Sequence, residues 1–521
     1  MSFSKVYSAQ ASITNATIIS VEVDLSRGFH AFAIVGLPDK AVEESKDRIS
    51  AAIKNSGYES PKSKNQKVVV SLAPADVKKE GPSFDVPMAL AYLLASDDIR
   101  FDPESKMFLG ELSLDGEIRS IPGVLPLARE AEKQGFKEIF VPAANAREAA
   151  LIKNITVYGV RNLSDIIHHV NTKKSRDNPQ PQVLLTPQAL TKVEDISILE
   201  ESEIDMKDIH GQEGAKRALE IAASGGHNIA MFGPPGTGKT MLARSFSRLL
   251  PPLTFDEILE VTSIHSVAGI LKNDLVLIPP FRAPHHTSSH ISIVGGGSFP
   301  KPGEITLAHR GVLFMDEFPE FDRRVIDALR QPLEDRVVTI ARAKGTVTFP
   351  AHVMFIVAMN PCPCGNFGNK QKECICTASH LGRYRRHISG PIIDRIDMWT
   401  EVSAISHAAL SEQSKGESSQ IIRERVRKAR DTQQKRFYKH PRNIKLNSEM
   451  NAKDIPNFCI FSQEAKVLLN ASSERMGLSG RAHHKMMKLA RTIADLRGDE
   501  FIGKEAILEA LQYRQKDFRG A

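Results

Sequence analysis

The order of apolar and polar positions divides the chain into three regions. Up to about residue 170, short apolar runs alternate with stretches of helical period. ATIISVEVDL, HAFAIVGLP and KVVVSLAP predict strands. Between the second and third, AVEESKDRISAAIKNSG predicts an amphipathic helix with Val42, Ile49, Ala52 and Ile53 on one face and Gly57 as its stop. DVPMALAYLLAS is apolar almost all round and predicts a buried helix. Strands mixed with helices make residues 1–170 an α/β or α+β domain. Residues 171–200, opening NTKKSRDNPQPQ, are polar and proline-rich and predict an exposed linker. Residues 201–403 again alternate strand and helix patterns, as an α/β domain does. Residues 404–521 keep a helical period with little strand character. No repeat of fixed period occurs.

Composition narrows the class. A chain of 521 residues suggests roughly three domains of ~150 residues. With 41% apolar and 25% charged residues it is neither collagen-like, mucin-like nor wholly disordered. Lys+Arg number 69 and Asp+Glu 62, so the net charge is 69 − 62 = +7. That excess permits a polyanionic partner without requiring one. Five cysteines are too few for a disulfide-built scaffold. Cys459 lies in an apolar run and reads as a small buried hydrophobe. The N-terminus lacks a basic stretch followed by an apolar core, and no run of about 18 apolar residues exists. The expectation is a cytoplasmic protein with no membrane partner.

The strongest chemical signal is GPPGTGKT at 233–240, between an apolar strand pattern, HNIAMF, and a helical one, MLARSFSRLL. It fits a phosphate-binding loop. Gly233, Gly236 and Gly238 let backbone N–H groups close around phosphates, with Pro234, Pro235 and Thr237 completing the loop. Lys239 is expected on the β- and γ-phosphates of ATP and Thr240 on Mg²⁺. GVLFMDEF at 311–318 is an apolar run ending in two acids. Asp316 is expected to hold Mg²⁺, and Glu317 to orient and activate the attacking water. Lys239 and Asp316 are 316 − 239 = 77 positions apart, whereas a strand–helix–strand unit needs ~30. Part of the surplus, FRAPHHTSSHISIVGGGSFPKPGEITLAHRG, reads as a long projecting loop or hairpin. His285, His286 and His290 lie in it without a nearby acid or cysteine in sequence, which favours hydrogen-bonding or DNA-facing roles over a metal site.

GPPGTGKT, RAPHHTSS, GGGSFPKPGEITLAHRGVLFMDE, AMNPCPCG, SGPIIDRIDM and GRAHHKMMKLARTIADL, in this order, resemble the Mg-chelatase-like AAA+ ATPases of the YifB/ComM type over nearly the whole chain. The resemblance implies a homo-hexameric AAA+ motor using ATP and Mg²⁺; the family's ComM members are DNA helicases that drive branch migration during natural transformation. It implies an α/β fold of three parts: an N-terminal Lon-protease-like (S5-like) α+β domain, a central AAA+ P-loop α/β domain, and a C-terminal helical Mg-chelatase-like lid. It assigns Asn360 to sensor 1, which positions the hydrolytic water, and Arg395 to the arginine finger that reaches a neighbouring subunit's nucleotide. Arg481 matches sensor 2, on the lid. From spacing alone each arginine reads as a surface salt bridge.

Within the core, the loop 360–377 carries Cys362, Cys364, Cys374 and Cys376 as C-x-C, nine residues, C-x-C. Four thiolates in one short loop suit a structural Zn²⁺ site. Lys370 and Lys372 lie inside it, and Arg383, Arg385 and Arg386 follow, which makes the loop a DNA-contact candidate beside sensor 1. VVTIARAKGTVTF at 337–349 reads as a hairpin around Ala343, Lys344 and Gly345. In the AAA+ plan such a hairpin projects into the ring's pore, where Arg342 and Lys344 would track the phosphate backbone without reading bases. The insertion near Ser298 and Lys301 is a second pore-loop candidate. Residues 421–445 hold ten Lys/Arg and two acids, which reads equally as a solvated helix or a nucleic-acid face.

The N-terminal region resembles the proteolytic domain of Lon-type proteases. Ser83 in EGPSFDVPMALA stands at the nucleophile position, but Leu125 in LDGEIRSIPGVLPLA stands where that family has its catalytic lysine. Without the amine a Ser–Lys dyad has no base, so oligomerisation or substrate guidance is the expected role. The reading is an ATP-driven DNA motor that promotes branch migration. Its rivals are a chelatase-type motor assisting metal insertion and an ATP-dependent protease.

Overall fold

The computed structural model describes residues 2–11, 16–173, 184–192, 204–271, 275–297, 301–342, 345–367, 372–404 and 416–514. The chain forms two units. The first is Met1–Ser197 with Phe255–Val276, and the second is Ile198–Thr254 with Leu277–Ala521.

The first unit is built on a mixed seven-stranded sheet. Its strands are β1 (Phe3–Ala11), β2 (Ala16–Arg27), β3 (Ala31–Val35), β4 (Gln66–Ala73), β5 (Lys106–Phe108), β6 (Glu138–Pro142) and β7 (Thr156–Val160), in the order β3-β4-β2-β1-β5-β6-β7. Strict alternation of apolar side chains carries it: Ile19, Val21 and Val23 on β2, and Val68, Val70 and Leu72 on β4, are fully buried at every second position. Helix α1 (Lys40–Asn55) buries Val42, Ile49, Ala52 and Ile53, the face its period predicts. Asp39 caps its start, accepting from Val42 N at 2.9 Å. Helix α2 (Asp85–Ala95) is buried on nearly all sides. The carboxylate of Asp85 enters that core because it is satisfied there, by Arg48 Nε at 2.7 Å, by the Leu112 N–H at 3.1 Å and by Ser45.

Ser83, the candidate nucleophile, lies in a single turn, Pro82–Phe84, ahead of α2, and its carbonyl accepts from Gly110 N at 3.1 Å. Leu125, in helix α3 (Val124–Lys133), is fully buried, with its N–H on Glu148 Oε1 at 3.1 Å. The same carboxylate oxygen accepts from Ser266 Oγ at 2.6 Å, and that hydroxyl accepts from Gly123 N at 2.9 Å. Ser266 belongs to helix Phe255–Val267. Part of the surplus between Lys239 and Asp316 is therefore a helix that packs on α3 in the first unit.

The second unit holds a parallel five-stranded sheet. Helix α4 (Glu213–Gly225) precedes β8 (Ile229–Phe232), and α5 (Lys239–Phe246) follows it. β9 (Phe281–Arg282) and β10 (Val312–Met315) come next, then an antiparallel pair, β11 (Val337–Arg342) and β12 (Gly345–Pro350). β13 (Met354–Met359) and β14 (Met398–Glu401) complete the sheet, in the order β9-β10-β13-β8-β14. β10 and β13 are buried throughout, as a sheet covered on both faces requires. Helix α6 (Ala378–His387) lies between β13 and β14. After residue 416 the described chain is mainly helical: α7 (Ser419–Arg436), α8 (Gln463–Arg475), α9 (Gly480–Arg497) and α10 (Lys504–Gln512). Ile422, Val426 and Ala429 form the buried stripe of α7. Among the described residues no helix is long and apolar enough to cross a membrane.

Candidate functional site

The sheet order assembles the site. β10, β13 and β8 are neighbours and parallel, so their C-terminal ends share one edge. Asp316 and Glu317 follow β10, Asn360 follows β13, and the loop 233–238 follows β8. Residues separated by up to 360 − 233 = 127 positions meet because three strands stop side by side.

The glycine loop has the backbone its sequence requires. Gly236 and Gly238 adopt φ of 77° and 90°, in the left-handed region that favours glycine. Gly233 is needed for space, since a Cβ there would lie 2.0 Å from Val402 O. The buried Lys239 amine donates to Gly233 O at 2.8 Å, Pro234 O at 2.7 Å and Asn360 Oδ1 at 3.2 Å. Burial lowers its pKa, and the Asp316 and Glu317 carboxylates work against that shift. Thr240 Oγ1 donates to Asp316 Oδ2 at 2.6 Å. The hydroxyl and carboxylate expected on one Mg²⁺ therefore already touch, and they fit a cation that takes oxygen ligands.

Glu317 sits at φ 49°, ψ 43°, a conformation costing a non-glycine residue about 1–3 kcal/mol. Its Oε2 is 3.3 Å from Nδ1 of His286, whose ring lies tilted by 33° against that of His285 at 4.1 Å between centroids. The acid that the histidine motif lacks in sequence is supplied in space by Glu317. Spacing alone gave no signal of this pairing.

The two assigned arginines are brought together, away from the phosphate loop. Both Arg395 and Arg481 contact the Glu334 carboxylate, Arg481 at 3.5 Å. Arg395 also donates to Pro391 O at 2.6 Å and Arg330 O at 3.1 Å. Burial and the neighbouring Arg481 and Arg330 charges lower its pKa. These side chains line a cleft of about 720 Å³ with Arg336, Lys485 and Lys488. Asn228, Asp397 and Met354 also line it, and these stand at the starts of β8, β14 and β13. The arginines thus occupy the N-terminal edge of the sheet, opposite Lys239. Glu334, which joins them, is a residue the sequence reading missed.

The four loop cysteines converge, with their sulfur atoms all within 4.8 Å of one another. Cys362 Sγ is 3.4 Å from Cys364 Sγ and 3.7 Å from Cys374 Sγ, and Cys364 Sγ is 3.6 Å from Cys374 Sγ. Zn–S bonds of about 2.3 Å in a tetrahedron set sulfurs about 3.8 Å apart. The donor set therefore fits Zn²⁺, and the spacing is far beyond a disulfide bond of about 2.05 Å. Cys459 is buried and apart, as its apolar run predicts.

The DNA-contact candidates fall differently. Arg342 pairs with Gly345 across the last rung of the hairpin. Ser298, Lys344 and Lys370 lie outside the described residues. Lys301 and Lys372 are exposed. In the basic stretch 421–445, Arg425 binds Glu220 and Glu417, both at 2.5 Å, Arg430 donates to Ala223 O at 2.6 Å, and Arg436 pairs with Asp495. Much of that stretch's charge is thus engaged inside the unit.

Three family models cover most of the chain. "Magnesium chelatase, subunit ChlI" matches residues 205–410, "Subunit ChlI of Mg-chelatase" residues 21–145, and "Magnesium chelatase, subunit ChlI C-terminal" residues 416–514. Competence protein ComM of Haemophilus influenzae is 38% identical over 520 residues, covering 99% of this chain and 98% of that protein. YifB of Salmonella typhimurium is 39% identical over 524 residues, with the same coverage. A shorter match, 34% over 94 residues, links 18% of this chain to 22% of DNA repair protein RadA of Streptococcus pneumoniae. The fold and site are those of a Mg-chelatase-like AAA+ protein, whose family implies ATP and Mg²⁺. Within that class, the chain belongs to the YifB/ComM type.

Proposed function

We propose that the protein is an ATP-driven, ring-forming DNA motor that promotes branch migration during recombination in natural transformation. One observation carries the motor reading: Lys239, Thr240, Asp316, Glu317 and Asn360 share one edge of the sheet, while Arg395 and Arg481 share the other. In a head-to-tail ring one edge faces its opposite on the next subunit, so each nucleotide is bound by one protomer and completed by its neighbour. Lys239 holds the β- and γ-phosphates, and Thr240 and Asp316 hold Mg²⁺. Glu317 activates water that Asn360 positions. Arg395 and Arg481 neutralise charge on the phosphates across the interface. The helices after residue 416 act as the lid, a hexamer is the expected ring, and the cysteine knuckle holds Zn²⁺.

The DNA reading is supported by the relatives' names, competence protein and DNA repair protein. It is supported also by a hairpin ahead of β13 whose tip sequence is Arg342, Ala343, Lys344. Such contacts are electrostatic and sequence-independent. The buried Leu125 offers no base to Ser83, which weighs against the protease reading. The test is ATP hydrolysis with and without DNA. Stimulation by DNA is expected, together with its loss in Lys239→Ala and in Arg395→Ala. A purified protein that neither binds DNA nor responds to it refutes the DNA reading and leaves the ATPase intact.

A further inference from the structure

The cysteine knuckle begins where the nucleotide site ends. Asn360, whose Oδ1 accepts from the Lys239 amine at 3.2 Å, is separated from Cys362 by Pro361 alone. Cys362 is fully buried, and its sulfur accepts from Phe367 N at 3.2 Å, which folds the intervening turn onto the thiol. At the head of that turn Gly365 adopts φ 79°, and it lies so close to the phosphate loop that a Cβ would stand 2.6 Å from Cδ of Pro235. Helix α6 fixes the other side. Tyr384 Oη donates to Asn360 O at 3.1 Å, and the Arg385 guanidinium lies 5.1 Å from the Phe367 ring centroid.

We propose that the metal-bound cysteine knuckle is a positioning element of the nucleotide site, holding Asn360 and the Pro235 segment of the phosphate loop in the geometry that binds ATP. This rests on the readings above that the loop 233–240 binds nucleotide and that the four cysteines bind Zn²⁺. The physical route is short. A tetrahedral metal fixes Cys362 and Cys364 against Cys374 and Cys376. Cys362 then fixes Asn360 through one residue, and the turn 362–365 abuts Pro235. Releasing the metal removes the cross-link that closes this loop and restores its chain entropy. Two sites coupled in this way obey reciprocity: metal raises nucleotide affinity by the factor by which nucleotide raises metal affinity.

The test uses the full-length protein carrying Co²⁺ in place of Zn²⁺, whose visible bands report tetrahedral thiolate ligation, and N-methylanthraniloyl-ADP with Mg²⁺ as the nucleotide probe. Adding the nucleotide is expected to shift the cobalt bands. Stripping the metal is expected to weaken nucleotide binding about tenfold or more. Gly365→Ala keeps all four thiolates but drives a methyl group at Pro235. It is expected to retain a full complement of metal and still lose about tenfold in nucleotide affinity, more in KM than in kcat. Pro235→Ala makes room, so its effect and that of Gly365→Ala are expected to be non-additive. If the stripped protein unfolds, the two variants decide the matter with metal bound. Unmoved cobalt bands with unchanged affinity in Gly365→Ala overturn the proposal. Failure of the unmodified protein to bind metal, or to bind nucleotide, overturns it by removing the corresponding reading beneath it. A protein that binds both ligands without coupling leaves those readings standing and sinks only this one.

Discussion

Arg395→Ala and Lys239→Ala should each be inactive alone and should restore one another when mixed. β8 and β14 are four residues long, so the edges carrying Lys239 and Arg395 are separated by about 13 Å of strand. An arginine side chain reaches about 7 Å. Arg395 therefore cannot reach the Lys239 site of its own chain, so the proposed mechanism requires a neighbour's arginine. Loss of an arginine finger costs about 10³–10⁵ in rate, which puts the Arg395→Ala ring below about 0.1% of the unmodified rate. In an equal mixture of the two variants, half the protomers keep Lys239 and half keep Arg395. Random assembly then leaves about a quarter of the interfaces with both, and activity is expected to recover to about a quarter of the unmodified rate if sites act independently. The assay is steady-state phosphate release after co-assembly, at a fixed total protein concentration. Full activity in Arg395→Ala, or no recovery on mixing when both variants assemble, refutes the shared site.

Glu317→Gln is expected to bind nucleotide as tightly as the unmodified protein while losing about 10²–10⁴ in turnover; nucleotide titration and phosphate release on one preparation check both halves. Asp397 is held at about 2: burial alone would raise its pKa, but His227 at 3.7 Å and the Lys485 charge outweigh it. Its folded pKa lies below the unfolded value of 3.8, so the stability it adds is present above about pH 4 and is lost as the pH falls toward 2. Asp397→Asn should cost about 2 kcal/mol at pH 7, with the gap to the unmodified protein closing across that acid window in thermal unfolding; a gap independent of pH contradicts the assignment. Replacing Arg342 and Lys344 together by Ala should weaken DNA binding and reduce its salt dependence more than neutralising Arg425 and Arg430, as measured by DNA titrations at several salt concentrations.

The parts of the fold that were legible in the sequence are those written in local period and local geometry. Helix α1 could be placed because Val42, Ile49, Ala52 and Ile53 recur at helical spacing. The phosphate loop could be placed because Gly236 and Gly238 must take positive φ between a strand and a helix. The cysteine cluster was legible because both pairs lie within one short loop. What was not legible depends on strand order. Nothing near Arg395 or Arg481 in sequence points to Glu334, which lies 61 positions before one and 147 before the other. His286 meets Glu317 through the loop after β9, and β9 lies beside β10 only because of the sheet's topology. The helix Phe255–Val267 reads as part of the ATPase segment, yet its Ser266 is held by Glu148 of the first unit. In each case a long-range pairing decided the outcome, and a one-dimensional pattern carries no record of it.

The distribution of charge follows from the same point. A net +7 counts Arg425 and Lys301 alike, but their surroundings differ. Arg425 is held by two carboxylates, and releasing it to a phosphate would leave Glu220, itself almost fully buried, without that partner. Glu220 would keep Arg217 at 3.0 Å, but breaking the Arg425 pair still sets a cost against any phosphate contact that residue could make. Lys301 and Lys372 are exposed and carry no comparable penalty. Affinity for a polyanion therefore follows the cations whose internal partners are weak, rather than the density of Lys and Arg along the chain. On that criterion the stretch 421–445, densest in basic residues, serves in good part to fasten α7 to α4 through Arg425 and Arg430, and exposed cations such as Lys301 and Lys372 are the ones the proposed DNA reading would draw on.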